Sequence, residues 1–228
     1  IWVHLREEGF LINKKRVHKL MKMLGIQSVA PKPNTSVPAR YGTKFPYLLN
    51  GLNICRSNQV WAVDITYIKL PTGMVYLFAL IDWHSRLIVG WTLANTMCAE
   101  HAVGVLRKAI SKYGIPEICN MDQGSQFTGD EWIDELILHG ILISHDGVGR
   151  YLDNIRIERF WRTLKYEDVY IKYYANIIEA RVGIAEFIEY YNNERPHQAL
   201  QYNRPRNVYF GMGRHSVSPA TTAAVGTP

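Results

Sequence analysis

One acidic residue inside an apolar strand pattern restricts the fold of this chain more than any other feature. Residues 60–68 are rich in β-branched and aromatic side chains, which is typical of a buried strand, yet Asp64 stands in their middle. An unpaired carboxylate in a protein core costs several kcal/mol, so Asp64 must be paired, lie at an exposed edge or bind a cation. The fold therefore has to bring a partner or a ligand to the centre of this strand.

The order of the remaining patterns predicts the fold class. A turn at 71–73 and two further apolar runs, 74–82 and 87–94, predict a three-stranded antiparallel meander that begins with the strand of Asp64. Beyond it the patterns alternate, with helices expected at about 99–113, 130–139, 154–166 and 177–192 and strands at 117–121 and 141–144. A meander followed by such alternation predicts an α/β domain in which helices flank a mixed five-stranded sheet.

The first residues predict a small helical unit. Asn13 is suited to cap a helix over about 14–24, and Gly25 is placed to end that helix. With a preceding helix in residues 1–9, this pair resembles the last two helices of a helix-turn-helix unit. Because position 1 already looks like the middle of a helix, we expect the chain to be a fragment of a longer protein.

Basic residues are concentrated in the first part of the chain. Lys15, Lys19 and Lys22 recur at i, i+4 and i+7, a stripe that suits a DNA backbone but also fits a solvated helix face. Residues 1–57 hold ten Lys and Arg against two Glu, whereas residues 58–228 hold sixteen basic against eighteen acidic residues. This asymmetry indicates a polyanionic partner such as nucleic acid.

The composition excludes several other classes of protein. A hydrophobic fraction of 47% with 20% charged residues is typical of a globular chain and excludes wholesale disorder. No apolar run approaches the ~18 to 20 residues of a membrane span, and the first residues lack the pattern of a secretory signal. The isolated cysteines, Cys55, Cys98 and Cys119, are expected to be reduced. These features favour a cytoplasmic protein.

Three carboxylates stand out together, although two of them have an ordinary explanation alone. Asp122 follows the strand predicted at 117–121 and fits a turn, and Glu158 fits a surface salt bridge to Arg162. With Asp64, however, they come from a central strand, a neighbouring strand end and a helix. Such carboxylates can converge to hold two divalent metal ions ~3.5–4 Å apart for phosphoryl transfer. Oxygen ligands suit Mg²⁺ or Mn²⁺.

Five blocks of sequence in a fixed order resemble one family of enzymes. The blocks are residues 58–67, 81–86, 122–127, 153–165 and 195–200. By these blocks the chain resembles the DDE transposases of the retroviral integrase superfamily. Within them it is similar to the catalytic subunit of bacterial insertion sequences whose transposase is encoded in two overlapping reading frames. The resemblance extends from about residue 5 to residue 211.

The resemblance implies a fold, an activity and a set of site residues. It implies an RNase H-like fold in which Asp64, Asp122 and Glu158 are the catalytic and metal-binding residues. The implied reaction is cleavage of a DNA strand and its transfer to target DNA with two Mg²⁺ or Mn²⁺ ions per active site. Lys165 is implied to contact DNA near the scissile phosphate. Further DNA contacts are expected from Asn154, Arg156, Arg159, Arg162, Lys15, Lys19 and Lys22.

The resemblance also implies partners. These are the ends of the mobile element, the target DNA, and a helix-turn-helix subunit or fusion supplied by the upstream reading frame. Further copies of the chain are expected to assemble on DNA, which would associate the protein with the bacterial nucleoid.

Two other functions stay open at this point. A metal-dependent nuclease of the same fold would cut DNA without joining it, and an inactive transposon relic would only bind DNA.

Whichever function holds, we expect the chain to have five segments. These are a partial helix-turn-helix unit at 1–26, a basic linker at 27–57, a catalytic core at 58–175, a helical extension at 176–212 and a disordered tail at 213–228.

Three further polar residues are interpreted as structural. Asp82 is expected to form hydrogen bonds with Ser85 or Arg86. His145 and His197 are interpreted as polar loop residues, because no set of His and Cys residues here has the spacing of a zinc site.

Overall fold

The computed structural model describes residues 1–24, 45–122, 124–146 and 155–212. The chain divides into two compact units, 1–38 and 39–228. None of the helices within the described ranges is both long and apolar enough to cross a membrane.

The first unit contains the two predicted helices. Helix α1 spans Trp2–Glu7 and helix α2 spans Lys14–Met23. The side chain of Asn13 accepts a hydrogen bond from the backbone N–H of Arg16 at 2.8 Å, which confirms the predicted N-cap. Val17 is the buried residue of α2, and Lys15, Lys19 and Lys22 are exposed. Gly25, the predicted helix end, lies outside the described residues.

The second unit is built on a mixed five-stranded sheet, as predicted. Its strands are β1 (Val60–Leu70), β2 (Gly73–Asp82), β3 (Ile88–Ala94), β4 (Ile118–Met121) and β5 (Leu142–His145). The spatial order is β3-β2-β1-β4-β5. The first three strands form the antiparallel meander, and β4 and β5 add parallel to the other edge of β1. The strand that carries Asp64 is therefore the central one.

Helices cover both faces of this sheet. The elements are α3 (Ala99–Tyr113), α4 (Ser125–Thr128), α5 (Asp130–Leu138), α6 (Ile155–Leu164), a π-helical turn (Lys165–Val169), α7 (Tyr170–Lys172), α8 (Ile177–Asn193), a 3-10 turn (Gln198–Leu200) and α9 (Pro205–Tyr209). Val60 and Ala62 pack with α6 and α8, whereas Trp61 and Val63 pack with α3 and α5. The two-residue period of a strand thus separates two cores.

Five short elements were not anticipated from the sequence. They are α4, the π-helical turn, α7, the 3-10 turn and α9, with four, five, three, three and five residues. Such lengths are too short to establish an amphipathic period. The π-helical turn continues α6, so that Lys165 follows directly on the helix that carries Glu158.

The last part of the predicted linker packs on the sheet. Leu49 is buried, the backbone N–H of Leu48 donates to Ser144 Oγ at 3.1 Å, and the N–H of Phe45 donates to His145 Nδ1 at 3.3 Å. The interpretation of His145 as a loop residue was wrong, because this side chain is buried at the end of β5. Residues 25–44 of the arm and linker lie outside the described part of the chain.

Candidate active site

Asp64 lies at the centre of β1 with both carboxylate oxygens hydrogen-bonded. It shares the strand face of Val60 and Ala62, against which α6 packs. Its Oδ1 accepts from the backbone N–H of Ile65 at 2.8 Å, and its Oδ2 accepts from the indole Nε1–H of Trp161 at 2.8 Å. The half-buried carboxylate is therefore paired with two N–H donors.

The electrostatics of Asp64 connect it to the other two predicted carboxylates. Burial raises the pKa of Asp64 to about 6, and the two N–H donors oppose that rise. The negative charges of Asp122 and Glu158 raise the same pKa further. The structure thus brings the three side chains into one electrostatic environment, although they are far apart in the sequence.

Asp122 follows β4 directly, and β4 lies beside β1. Its Oδ1 accepts from the backbone N–H of Gly124 at 3.0 Å. A Cβ atom at Gly124 would lie 2.9 Å from Asp122 Oδ1 and 2.6 Å from Gln126 Nε2. Glycine at this position therefore allows the backbone to approach the carboxylate closely.

Glu158 lies in the first turn of α6 and is exposed, while Ile157, Phe160, Trp161 and Leu164 bury the other side of the helix. Within the described ranges, Glu158 forms no ion pair with Arg162. The salt-bridge explanation of Glu158 is therefore not observed, and its carboxylate stays available to a ligand.

Lys165 lies close to Asp64. Its Nζ is 4.9 Å from the centroid of the Tyr67 ring, a cation–π contact that orients the amine. Burial lowers the pKa of Lys165, and the charge of Asp64 opposes that change. A positive charge is thus placed near Asp64.

The carboxylates do not form a closed ligand set in this structure. In the part of the chain that the structure describes, no group of three or more His, Cys, Asp or Glu side chains is close enough to hold a metal ion. Gln123, beside Asp122, and residues 147–154, which lead into α6, lie outside that part. Asn154, predicted to contact DNA, belongs to this stretch. Arg159 and Arg162 are exposed on α6.

Trp161 is a residue of the candidate site that sequence reasoning missed. Its position among the apolar residues of α6 predicted packing only, and it does pack, with 7% of the residue's surface exposed. The indole N–H nevertheless donates to Asp64. The sequence did offer a signal, because the N–H of a buried tryptophan usually has a hydrogen-bond acceptor.

The hydrogen bond from Trp161 to Asp64 predicts a measurable stability effect. Trp161→Phe keeps an aromatic ring in the core but removes the N–H, and a hydrogen bond to a charged group contributes about 1.5–3 kcal/mol. We expect the free energy of unfolding in urea to fall by about 2 kcal/mol. The control is Trp83→Phe, because the buried Nε1–H of Trp83 has no hydrogen-bond partner among the described residues. Equal losses in both variants would contradict a role for the hydrogen bond.

Three stretches of the chain match known protein families. Residues 55–150 match a family described as integrase core domain, and residues 139–205 match a second family with the same description. Residues 1–34 match a family described as HTH-like domain.

Similar proteins are transposases of insertion sequences. The chain is 33% identical over 214 residues to the transposase for insertion sequence element IS904 of Lactococcus lactis subsp. lactis, with 89% of this chain and 83% of that protein covered. It is 30% identical over 199 residues to the putative transposase InsK for insertion sequence element IS150 of Escherichia coli, with 86% and 70% covered.

Solved structures of retroviral integrases share the fold. The catalytic core domain of HTLV-2 integrase in complex with magnesium matches with a TM-score of 0.51 and 18% identity, over 69% of this chain and 99% of that one. A chain of the simian T-cell lymphotropic virus intasome in complex with PP2A regulatory subunit B56 gamma matches with a TM-score of 0.60 and 16% identity, over 93% and 74%. These likenesses confirm the predicted RNase H-like fold.

Proposed function

Since this chain belongs to the insertion-sequence transposases that carry an integrase core, we propose that Asp64, Asp122 and Glu158 form its catalytic site. As a member of that family it is a polynucleotidyl transferase that acts in transposition and DNA integration. The observation that supports the assignment most directly is the electrostatic coupling of Asp122 and Glu158 to the half-buried Asp64. A carboxylate with a perturbed pKa that lies near carboxylates from other elements is typical of a catalytic site.

We propose Mg²⁺ or Mn²⁺ as the cofactor, with two ions per site. All three side chains offer hard oxygen donors, which these ions prefer. The pKa of Asp64 is raised because burial and the neighbouring carboxylates disfavour its negative charge. A bound cation would stabilise that charge. When bound, two such ions would activate the attacking oxygen and stabilise the leaving oxygen of a phosphodiester.

The residues around the carboxylates have distinct proposed tasks. Ile65 N–H and Trp161 Nε1–H orient the carboxylate of Asp64, whose remaining lone pairs stay available to a cation. Lys165, held over Tyr67, neutralises a phosphate of the DNA strand that lies at the carboxylates. Arg162 and Asn154 contribute further contacts to the DNA backbone.

The first unit and additional subunits complete the proposed assembly. The exposed stripe of Lys15, Lys19 and Lys22 on α2 is suited to a DNA backbone. We propose that an upstream-frame subunit or fusion supplies recognition of the element ends, and that several copies of the chain assemble on DNA.

A strand-transfer assay tests the proposed function. Labelled oligonucleotides that carry candidate element ends are incubated with the chain, or with a longer fused protein, in Mg²⁺ or Mn²⁺ and in EDTA. We expect joined products with either metal and none in EDTA, because the carboxylates need the cations for chemistry. Cleavage without joining would favour a nuclease, and binding without any product from the fused protein would favour a relic.

A further inference from the structure

A small cavity lined by arginine side chains lies beside α6, on the flank of the helix away from Lys165. Its volume is about 150 Å³. Arg156 and Arg159 reach it from α6, Arg86 from the turn between β2 and β3, and Arg195 and His197 from the segment after α8. It joins two of the sequence blocks, 81–86 and 195–200, to which the catalytic assignment gives no role.

The turn that carries Arg86 is built to hold it there. Asp82 is fully buried, and its Oδ1 accepts from the backbone N–H of Ser85 at 2.8 Å and from Ser85 Oγ at 2.6 Å. Its Oδ2 accepts from the N–H of Asn58 at 2.8 Å. Arg86 has a φ of 65°, a left-handed conformation that costs energy for a residue with a side chain. The structural role predicted for Asp82 is confirmed, and its consequence is the placement of Arg86.

Three of the four arginines that line the cavity lack a counter-charge among the described residues. In the described residues no carboxylate pairs with Arg86, Arg156 or Arg159, whereas Arg195 forms a two-pronged ion pair with Glu167 at 2.6 and 2.9 Å. Arg156 is held by stacking, with its guanidinium carbon 4.3 Å from the centroid of the Trp83 ring. Three guanidinium groups are thus gathered without a carboxylate partner in the described part of the chain.

Buried polar atoms at the cavity also lack partners. Arg156 Nε and His197 Nε2 are buried and form no hydrogen bond with the described residues. Buried polar groups in native proteins are nearly always hydrogen-bonded, so these two atoms leave an unmet hydrogen-bonding requirement in residues that line the cavity. The interpretation of His197 as a polar loop residue was incomplete, because its ring packs edge-on against Tyr191 at 4.6 Å.

The pKa values describe a strongly positive environment. Burial lowers the pKa of Arg86 to about 10, with a further contribution from the charges of Arg156 and Arg159. Burial lowers the pKa of His197 to about 4, and the charges of Arg195 and Arg86 act in the same direction. An anion in the cavity would relieve this repulsion.

We propose that the cavity binds one backbone phosphate of the DNA substrate, through Arg86, Arg156 and Arg159. This assignment rests on the proposed function, which supplies the DNA. The volume equals about five water molecules at ~30 Å³ each, enough for a phosphate group and its remaining water. Guanidinium groups suit phosphate because they donate two parallel hydrogen bonds. Consecutive residues of a helix point about 100° apart, so Arg159 lies on α6 between the direction of Glu158 and the flank that faces the cavity.

The test is DNA binding measured without chemistry. A fluorescent duplex with a candidate element end is titrated in EDTA across a salt series with the wild-type chain, Arg86→Gln, Arg159→Gln and the double variant. We expect each single variant to bind about tenfold more weakly and to reduce the salt slope of log K by about 1. Because both arginines serve the same phosphate, the double variant should lose about 1 from the slope as well, and not about 2.

Controls separate this result from unfolding and from a general loss of charge. Lys108→Gln removes an exposed charge on α3, which packs on the opposite face of the sheet, and should leave affinity and slope unchanged. Arg86→Lys keeps the charge and should recover part of the slope. Circular dichroism melting establishes that each variant is folded.

Several outcomes would overturn the proposal. The proposal is wrong if the folded variants keep the wild-type salt slope of log K. It is also wrong if the wild-type chain does not bind duplex DNA at low salt. A third outcome is that inorganic phosphate raises the melting temperature of the wild-type chain but not of Arg86→Gln, while the variants keep the wild-type salt slope for DNA. That result would assign the cavity to a free anion. Because the titration contains no metal, it can succeed even if strand transfer fails, so the two proposals are tested separately.

Discussion

Glu158→Gln is expected to abolish strand transfer, with joined products reduced about a thousandfold. The substitution preserves the size of the side chain and removes the charge that the proposed site contributes from α6. Loss of several kcal/mol of charge stabilisation in the transition state corresponds to about three powers of ten in rate. The side chain is exposed and forms no ion pair within the described residues, so stability should change little. The measurements are initial rates of joined product in Mg²⁺ and the melting temperature.

The matched control for this variant is Glu131→Gln. Glu131 is likewise an exposed glutamate in the first turn of a helix, α5, and it lies outside the proposed site. Both substitutions remove the same favourable interaction with a helix N-terminus, about 0.3–1 kcal/mol. We therefore expect similar melting temperatures and a large rate difference. Joining by Glu158→Gln at the wild-type rate would exclude Glu158 from the catalytic site.

Asp82→Ala is expected to produce the largest loss of stability, about 3–5 kcal/mol in the free energy of unfolding. Three donors lose their acceptor: Ser85 N–H, Ser85 Oγ–H and Asn58 N–H. A buried donor left without a partner costs about 1–3 kcal/mol, and little water can reach these groups because Asp82 and Ser85 are fully buried. Urea unfolding measures the change, provided that the dependence of the free energy of unfolding on urea concentration is the same in both proteins.

A graded series tests the cause of this loss. Ser85→Ala removes one of the three donors and keeps the carboxylate, so we expect a smaller loss of about 1 kcal/mol. If Asp82→Ala were no less stable than Ser85→Ala, the buried carboxylate would not hold the turn. The Asp82→Ala chain should also bind duplex DNA more weakly where it remains folded, because the turn no longer fixes the left-handed conformation of Arg86.

The sequence by itself determined the architecture, because the signals for it are local. The two-residue period of β1 assigns Val60 and Ala62 to one core and Trp61 and Val63 to the other, and the structure has both. Asn13 caps α2 through its own side chain, three residues from its donor. The apolar stripe of α6 likewise determined which side of that helix is buried. Such patterns depend on neighbours within one or two turns and need no knowledge of the tertiary fold.

The tertiary structure alone decided which distant side chains meet. The hydrogen bond from Trp161 to Asp64 spans 97 residues, and the hydrogen bond from the backbone N–H of Phe45 to His145 spans 100. The arginine cavity joins residues from a turn, a helix and a later segment that no local period relates. Each of these contacts depends on how helices and chain ends pack against the sheet, and packing is determined by the summed shape of many side chains. Spacing predicted the carboxylates of the catalytic proposal, whereas the donor that orients Asp64 and the cavity proposed for a DNA phosphate required the folded chain.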